Sequence, residues 1–359
     1  MTSTQHVTSV ESPAATPQRV VRGRGRVHPR RLLGKLAPRR ISAIYLLGLF
    51  IVLFGLLEPD TFLTQVTFSL IVRSGVVTCI LALAFLVPLT AGAYDLSIGA
   101  VMSLSLSLVI YLSLHSDLPT PVTAFVAIGA AALCGAVSGF IVVKLHVNSF
   151  IATLGVSQVL AGAVLLLSNN TQMIGDLPDY WSSLGTSEVL GVPPVVLILL
   201  LLALLMWYVL EFTPIGRYLL ATGGNPEASR LAGVATDRVL WCVFIASGAI
   251  SGVAGVVYSM QSGLYSSSIG PGYLFPAVAA VFLGASQLSR RPNVWGTLIA
   301  YFALAFGIQG LALSTASASV WSQPVFQGVS LIIAVAVASR PVVRKLRDSK
   351  PAQATESVA

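Results

Sequence analysis

Residues 67–114 read TFSLIVRSGVVTCILALAFLVPLTAGAYDLSIGAVMSLSLSLVIYLSL, which is two long apolar runs separated by a short polar turn. The runs cover about residues 67–90 and 96–114, and each is close to the roughly 20 apolar residues that a helix needs to cross a bilayer. Asp95 lies between them. Because a carboxylate is costly in lipid, we expect Asp95 to lie at an interface, to cap the following helix or to face a polar pathway.

Similar apolar runs recur along the chain. It has 359 residues, of which 55% are hydrophobic and only 9% are charged, whereas a soluble domain carries roughly 25% charged residues. This composition excludes an ordinary soluble enzyme, which would expose large apolar patches and aggregate. The sequence therefore predicts an all-α, polytopic membrane protein with about ten transmembrane helices, at 41–57, 67–90, 96–114, 121–143, 149–168, 195–212, 239–259, 273–288, 295–313 and 324–339.

The few charged residues are segregated between alternate loops. With the N-terminus in the cytoplasm, all but one of the 21 Lys and Arg residues fall in inside segments, and the exception, Arg73, lies in a span. This distribution predicts an even number of spans with both termini in the cytoplasm, because cytoplasmic segments are enriched in Lys and Arg. It also explains the net charge of +8 without a nucleic-acid partner. The outside segments contain no Lys or Arg and hold Glu58, Asp60, Asp117, Asp176, Asp179 and Glu188.

The two ends of the chain differ from its apolar middle. Residues 1–40 are polar, Pro-rich and basic, which predicts a disordered cytoplasmic tail, and residues 341–359 predict a C-terminal cytoplasmic tail. Between them, residues 41–340 form the predicted transmembrane domain. Its first run, 41–57, has no small-residue cleavage site after it, which favours an uncleaved span over a signal peptide. The run at 273–288 is short and follows a Pro-Gly pair, so it is either a full span or a broken one.

The largest predicted cytoplasmic loop, residues 213–238, has the pattern of a short capped helix. Asn225 is a favourable N-cap and Pro226 suits the first helical position. Glu227 favours the positive end of the helix, and Gly233 can adopt the left-handed conformation that ends it. No Gly-Lys-Ser/Thr sequence follows the Gly-Gly pair, so we do not expect direct nucleotide binding. A rigid helix here suits contact with a soluble partner, through Gly216, Arg217, Gly224, Asn225, Pro226, Glu227, Arg230 and Gly233.

Other polar residues lie inside or beside the predicted spans. Asn148 or Ser149 can cap the fifth span, and Gln158 either joins helices or lines a route through the membrane. Arg73 either extends to the outer surface or faces the pathway. The structural or pathway candidates are Arg73, Asp95, Ser97, Asn148, Ser149, Thr153 and Gln158.

Two short glycine-containing segments resemble each other. GAVSG at 135–139 lies on the fourth span and GAISG at 248–252 lies on the seventh, which runs in the opposite direction. We interpret the match as shared small-residue packing, because small side chains allow transmembrane helices to approach closely.

Enzyme signatures are absent from the sequence. The four histidines are scattered without metal-ligand spacing, and there is no nucleophile elbow or Walker motif. We therefore predict no catalytic residue, no metal site and no cofactor bound by this chain. The three cysteines lie inside apolar runs and are expected to be small buried hydrophobes rather than a disulfide framework: Cys79, Cys134 and Cys242.

Four segments together resemble motifs of a known family. They are Gly92 to Gly99, Ser149 to Gly155, Gly224 to Val234 and Ala279 to Ala285, and their order and spacing cover about residues 45–340. On these motifs the chain resembles the ribose-type sugar permease subunits of bacterial ABC importers. The chain departs from the family pattern at several positions, which leave the fold intact and the solute open: Ala93, Tyr94, Phe275, Pro276, Ala285, Arg290 and Arg291.

The resemblance implies an ABC importer permease fold in the bacterial cytoplasmic membrane, surrounded by lipid. Two permease subunits, either identical or paralogous, would form the pathway, and cytoplasmic ATPase subunits that bind ATP and Mg would dock on loop 213–238. An extracytoplasmic solute-binding protein would deliver a sugar or a related small polar solute. The permease would move this solute by alternating access.

Two further classes of function stay open from the residues alone. Within the importers, a branched-chain amino acid or nucleoside permease is the nearest alternative. An ion-coupled secondary transporter is a different class, and it would need titratable groups deep in the spans. Only Asp95 and Arg73 approach that description.

Overall fold

The computed structural model describes residues 42–188, 193–285, 291–314, 321, 323–333 and 335–336. The two predicted tails and Arg290 lie outside the described residues. The described part is mostly helical. Its helices are α1 Ser42–Leu57, α2 Gln65–Thr90, α3 Ile98–His115, α4 Thr120–Lys144, α5 Ser149–Leu167, α6 Asp179–Thr186, α7 Pro194–Phe212, α8 Pro214–Gly224, α9 Pro226–Leu231, α10 Thr236–Ser262, α11 Ile269–Ala285, α12 Val294–Ser314 and α13 Gln323–Ile333.

Within the described residues, seven helices are long and apolar enough to cross a membrane, namely α2, α3, α4, α5, α7, α10 and α12. Three shorter apolar helices, α1, α11 and α13, occupy the remaining predicted runs. The prediction of a mostly helical polytopic membrane protein is confirmed, and the count of ten spans stays a prediction. The short run predicted at 273–288 is one continuous helix, α11, as far as it is described. It begins at Ile269 rather than at 273. The Pro-Gly pair did not mark its start, because proline is tolerated in the first turn of a helix.

A small strand pair was not predicted from the sequence. β1 (Met173–Ile174) and β2 (Leu264–Tyr265) are antiparallel, with Met173 opposite Tyr265. Burial raises the pKa of the Tyr265 phenol, and its hydrogen bond with Ser168 opposes that rise. The pair joins the segment after α5 to the end of α10.

The central helix is α10, which packs along α2, α3 and α4. Its contact with α4 is made by the two similar glycine segments. A Cβ added to Gly135 would lie 2.9 Å from the Phe244 carbonyl carbon, and one added to Gly248 would lie 3.0 Å from the Gly135 Cα. The interpretation of these segments as small-residue packing is confirmed, since the two backbones are in direct contact.

We expect Gly248→Ala to lower the free energy of unfolding by about 1–3 kcal/mol, because the new methyl group forces α4 and α10 apart. Gly129→Ala in α4 is the matched control, since a Cβ there would meet no atom within 4 Å. That variant should be neutral or gain up to about 1 kcal/mol from helix propensity. Unfolding of the two purified variants in detergent measures both changes in stability. Equal stability of Gly248→Ala and Gly129→Ala would contradict the close contact between α4 and α10.

The turns between the helices gather at two ends of the bundle. The basic end consists of residues 91–97, 144–149, 211–238 and 291, and the acidic end consists of residues 58–64, 115–119, 168–188 and 260–268. The described part of the acidic end contains no Lys or Arg. This grouping agrees with the predicted alternation of loops, and which end faces the cytoplasm stays a prediction. The basic end contains Lys144, Arg217, Arg230, Arg238 and Arg291.

Candidate functional site

The polar turn between α2 and α3, residues 91–97, is held by backbone geometry and is called the Asp95 turn below. At the end of α2 the Gly92 N–H donates to the Leu89 carbonyl at 3.1 Å, and the Ala93 N–H donates to the Pro88 carbonyl at 2.9 Å. Gly92 has a φ of +81°, the left-handed conformation that ends many helices. The chain thus leaves α2 sharply and enters α3 at Ile98, after a turn of seven residues.

Asp95 is the centre of this turn and is only 1% exposed. Its Oδ1 accepts hydrogen bonds from the Ser97 N–H at 3.0 Å and the Ser97 hydroxyl at 2.5 Å. Its Oδ2 accepts from the Ser247 hydroxyl in α10 at 2.7 Å. A buried carboxylate is tolerated when hydrogen-bonded in this way. Of the three roles expected for Asp95, a place at an interface is wrong because the side chain is buried, and capping of α3 is wrong because the N-cap is Ser97, without a side-chain capping hydrogen bond. Asp95 instead holds the turn that precedes α3. The third role, facing a polar pathway, stays a prediction.

The first turn of α5 supports the Asp95 turn from its other side. The Ser149 hydroxyl accepts a hydrogen bond from the Tyr94 N–H at 3.1 Å, and the Thr153 hydroxyl accepts from the Leu96 N–H at 3.0 Å. The N-cap of α5 is Asn148, whose Oδ1 accepts from the Phe150 N–H at 2.9 Å. Ser149 is therefore bonded to the Asp95 turn and does not cap α5.

Four pathway candidates therefore meet at one place, and the others do not. Asp95, Ser97, Ser149 and Thr153 form this cluster together with Ser247, which sequence reasoning missed. A hydroxyl inside an apolar span was the available signal for Ser247, since such a group needs a partner. The remaining candidates are Asn148, which caps α5, Gln158, which is exposed on α5, and Arg73, which lies near the other end.

Loop 213–238 folds into two helices, α8 and α9, rather than the single short helix predicted. The predicted cap is confirmed, because the Asn225 Oδ1 accepts from the Ala228 N–H at 3.0 Å. Gly233 has a φ of +88°, as expected for the end of α9. The additional helix α8 was missed because Pro214 at its start is followed by three glycines within the eleven residues of the helix, a composition typical of a loop. Of the docking candidates, Gly216 is buried and the other seven are exposed: Arg217, Gly224, Asn225, Pro226, Glu227, Arg230 and Gly233.

The end of α8 packs directly on the Asp95 turn. A Cβ added to Gly223 would lie 3.0 Å from both the Ala91 carbonyl carbon and the Gly92 nitrogen, and still closer to the Thr90 carbonyl oxygen. A Cβ added to Gly92 would lie 3.1 Å from the Gly223 Cα. The two backbones therefore touch with no side chain between them. Gly223 was not among the candidates, although it is the first glycine of the Gly-Gly pair.

At the acidic end, a second set of contacts holds segment 168–188 over the bundle. The Arg73 Nη2 lies 2.8 Å from the Glu188 Oε1, with side chains 30% and 35% exposed. The Trp181 Nε1 donates to the Ser259 hydroxyl at 3.1 Å, and the Gln261 amide donates to the Arg73 carbonyl at 2.9 Å. Arg73 thus reaches the acidic end; that this end is the outer surface, as the first of its two alternatives requires, stays a prediction. Its partner Glu188 was not predicted.

The described residues contain no group of three or more His, Cys, Asp or Glu placed to hold a metal ion. The cysteines are all free and differ in exposure. Cys79 is buried, as predicted, and Cys134 is partly buried. Cys242 is exposed, so the prediction was wrong there, because this face of α10 opens to a groove rather than to another helix.

Comparisons with known proteins assign the chain to a family. The family described as branched-chain amino acid transport system / permease component matches residues 67–337. The ribose import permease protein of Haemophilus influenzae is 30% identical over 307 residues, covering 84% of this chain and 94% of the relative. The fructose import permease protein of Rhizobium meliloti is 32% identical over 325 residues, covering 86% and 89%. No solved structure matches the chain.

A third relative is the autoinducer 2 import system permease protein LsrC of an Enterobacter species. It is 32% identical over 272 residues, which cover 76% of this chain and 77% of the relative. The chain belongs to this family of transport-system permeases, and the resemblance predicted from its motifs is confirmed. It is a multi-pass protein of the inner membrane.

Proposed function

We propose that this chain is the membrane-spanning permease subunit of an ATP-driven importer for a sugar or a related small polar solute. The observation that carries the proposal is the backbone contact between the capped loop 213–238 and the buried Asp95 turn, within a family of import permeases. The solute class rests on the relatives, which are named for ribose, fructose and autoinducer 2 import.

In this proposal all ten apolar helices cross the membrane and the basic end faces the cytoplasm. Alternation of ten spans would place both termini inside, in agreement with the positive-inside rule. The three shorter helices would span by thinning the bilayer locally, which is a modest cost per ångström of mismatch. The acidic end would then face an extracytoplasmic solute-binding protein.

A cytoplasmic ATPase would dock on the exposed surface of α8 and α9. Arg217, Glu227 and Arg230 supply charges of both signs there. The Arg230 Nη2 lies 2.9 Å from the Asp237 Oδ1, but both side chains are more than half exposed, so this pair adds little stability and is available to a partner. ATP and Mg would be bound by the ATPase, and the second permease subunit would be an identical or paralogous chain.

Movement of the ATPase would reach the pathway through the Asp95 turn. Gly223 transmits a shift of α8 to the turn by backbone contact. From there, Asp95 is bonded to Ser247 in α10, and the turn backbone is bonded to Ser149 and Thr153 in α5. Close-packed contacts switch between discrete arrangements rather than deforming continuously, which suits alternating access. One small cluster thus connects the docking loop to α5 and α10.

Charge reversal by Glu227→Lys is expected to reduce both ATPase co-purification and uptake of labelled pentose by about tenfold, because an interfacial charge is made repulsive. The measurement compares cells expressing the chain with its ATPase and binding protein. Asp179→Lys is the matched control, since it reverses a charge at an exposed position of the acidic end. It should leave ATPase co-purification intact.

Three outcomes would contradict the proposal. Undiminished assembly and uptake in the Glu227 variant would show that the docking site is elsewhere. Uptake of branched-chain amino acids instead of sugars would favour the activity in the family description. Uptake by the purified chain in vesicles with an ion gradient and no ATPase would indicate a secondary transporter.

A further inference from the structure

An apolar groove with a volume of about 500 Å³ opens between α7, α8 and α10. Leu205 and Val209 of α7, Ile215 of α8, and Val243 and Ile250 of α10 are among the aliphatic side chains that line it. The lining contains a single charged residue, Arg238, near the start of α10. The groove therefore has a hydrocarbon interior and one cation.

Arg238 differs from two other arginines at the basic end. Arg230 pairs with Asp237, and Arg291 pairs with Glu211 at 2.9 Å. Arg238 is exposed and takes part in none of the ion pairs or side-chain hydrogen bonds found within the described part of the chain. Its guanidinium is thus free to bind an anion at the mouth of the groove.

The length of the groove matches one leaflet of a bilayer. Arg238 and Ile250 are twelve positions apart on α10, which is about 18 Å along a helix. Half of the hydrocarbon core is about 15 Å thick. A chain lying along α10 with a phosphate on Arg238 would therefore extend to about the bilayer midplane. Tyr218 also lines the groove, and tyrosine is enriched at the level of lipid headgroups.

We propose that this groove binds one anionic phospholipid of the leaflet at the basic end, with an acyl chain against α7 and α10 and the phosphate on Arg238. Basic pockets between membrane helices are known to hold acidic headgroups. The inference needs only that the chain lies in a membrane, so it stands apart from the proposed transport function. A lipid here would contact α8, the helix that packs on the Asp95 turn.

The experiment is native mass spectrometry of the purified full chain in detergent, titrated with phosphatidylglycerol or phosphatidylcholine of identical acyl chains. The wild-type chain is expected to retain one phosphatidylglycerol about fivefold more tightly than phosphatidylcholine, since one basic residue near a membrane surface contributes on that order. Arg238→Gln should remove this preference. Lys144→Gln, the same loss of charge at the basic end but outside the groove, should keep it.

A second variant tests the acyl-chain site. Ala246 lines the groove and is partly buried, so Ala246→Phe should fill the space and reduce retention of both lipids. Cys242, exposed in the same groove, offers an independent readout. Phosphatidylglycerol should slow its alkylation by maleimide in the wild-type chain and not in Arg238→Gln. If Ala246→Phe does not fold, the lipid preference of Arg238→Gln still tests the proposal, because Arg238 is exposed.

Equal retention of phosphatidylglycerol by the wild-type and Arg238→Gln chains would overturn the proposal. An equal loss in Lys144→Gln would also overturn it, since the preference would then come from the overall charge of this end. Efficient disulfide cross-linking of two chains through Cys242 in a bilayer would instead assign the groove to an interface with a second copy.

Discussion

Gly223→Ala is expected to reduce solute uptake by about tenfold while the ATPase remains bound, because a perturbation of about 1.4 kcal/mol in a two-state equilibrium has that effect. The new Cβ would lie against the Thr90 carbonyl oxygen and 3.0 Å from the Ala91 carbonyl carbon. These are backbone atoms that cannot rotate away. The end of α8 must therefore move from the Asp95 turn, which breaks the proposed transmission while keeping the charged docking side chains Arg217, Glu227 and Arg230.

The measurement combines uptake, ATPase co-purification and ATP hydrolysis by the assembled transporter. Hydrolysis should continue in the Gly223 variant while uptake falls, which is the signature of uncoupling. Gly129→Ala is the control for adding a methyl group to a helix, since its Cβ meets no atom within 4 Å. Normal uptake by the Gly223 variant would exclude this contact as the route. Loss of ATPase binding would mean that the substitution acts on docking instead.

The features that could be predicted from the sequence are those determined locally. The apolar runs located the long helices, because the length of a span follows from bilayer thickness. Asn225 was recognised as a cap and Asn148 as one of two candidates, because the N-cap preference is a property of the residue and its own helix. The two glycine segments were recognised as packing surfaces, because small residues in a span allow neighbouring helices to approach closely.

The features that could not be predicted depend on which distant segments meet. Ser247 is 152 positions from Asp95, and Glu188 is 115 positions from Arg73. A single sequence contains no signal for such pairs beyond the need of each buried polar group for some partner. Gly223 was missed for the same reason. Its lack of a side chain is explained only by the turn that packs on it.

Asp95→Ala is expected to lower the free energy of unfolding by about 2–4 kcal/mol and to abolish uptake. The substitution removes the acceptor for the Ser97 N–H, the Ser97 hydroxyl and the Ser247 hydroxyl. Each donor left buried without a partner costs about 1–3 kcal/mol, and relief from burying the carboxylate offsets part of the sum. Thermal unfolding of the purified chain in detergent measures the stability, and solute uptake measures the function.

Asp95→Asn separates the shape of this side chain from its charge. Asparagine has nearly the same volume and can accept from Ser97 through Oδ1 while its amide donates to the Ser247 hydroxyl. If Asp95 acts only by holding the turn, the asparagine variant should recover most of the lost stability and uptake together. Recovery of stability without uptake would show that transport needs the carboxylate itself. Wild-type stability and uptake in Asp95→Ala would contradict the cluster altogether.

Ser247→Ala completes a double-mutant cycle with Asp95→Ala. If the 2.7 Å hydrogen bond joins the turn to α10, the double variant should be more stable than the sum of the two single losses by about 1–2 kcal/mol. Ser251→Ala, one helical turn further along α10, is the control, because its hydroxyl donates to the Ser247 carbonyl within the same helix. That residue should show no coupling to Asp95, so a coupling confined to Ser247 would identify the link through which the turn acts on the central helix.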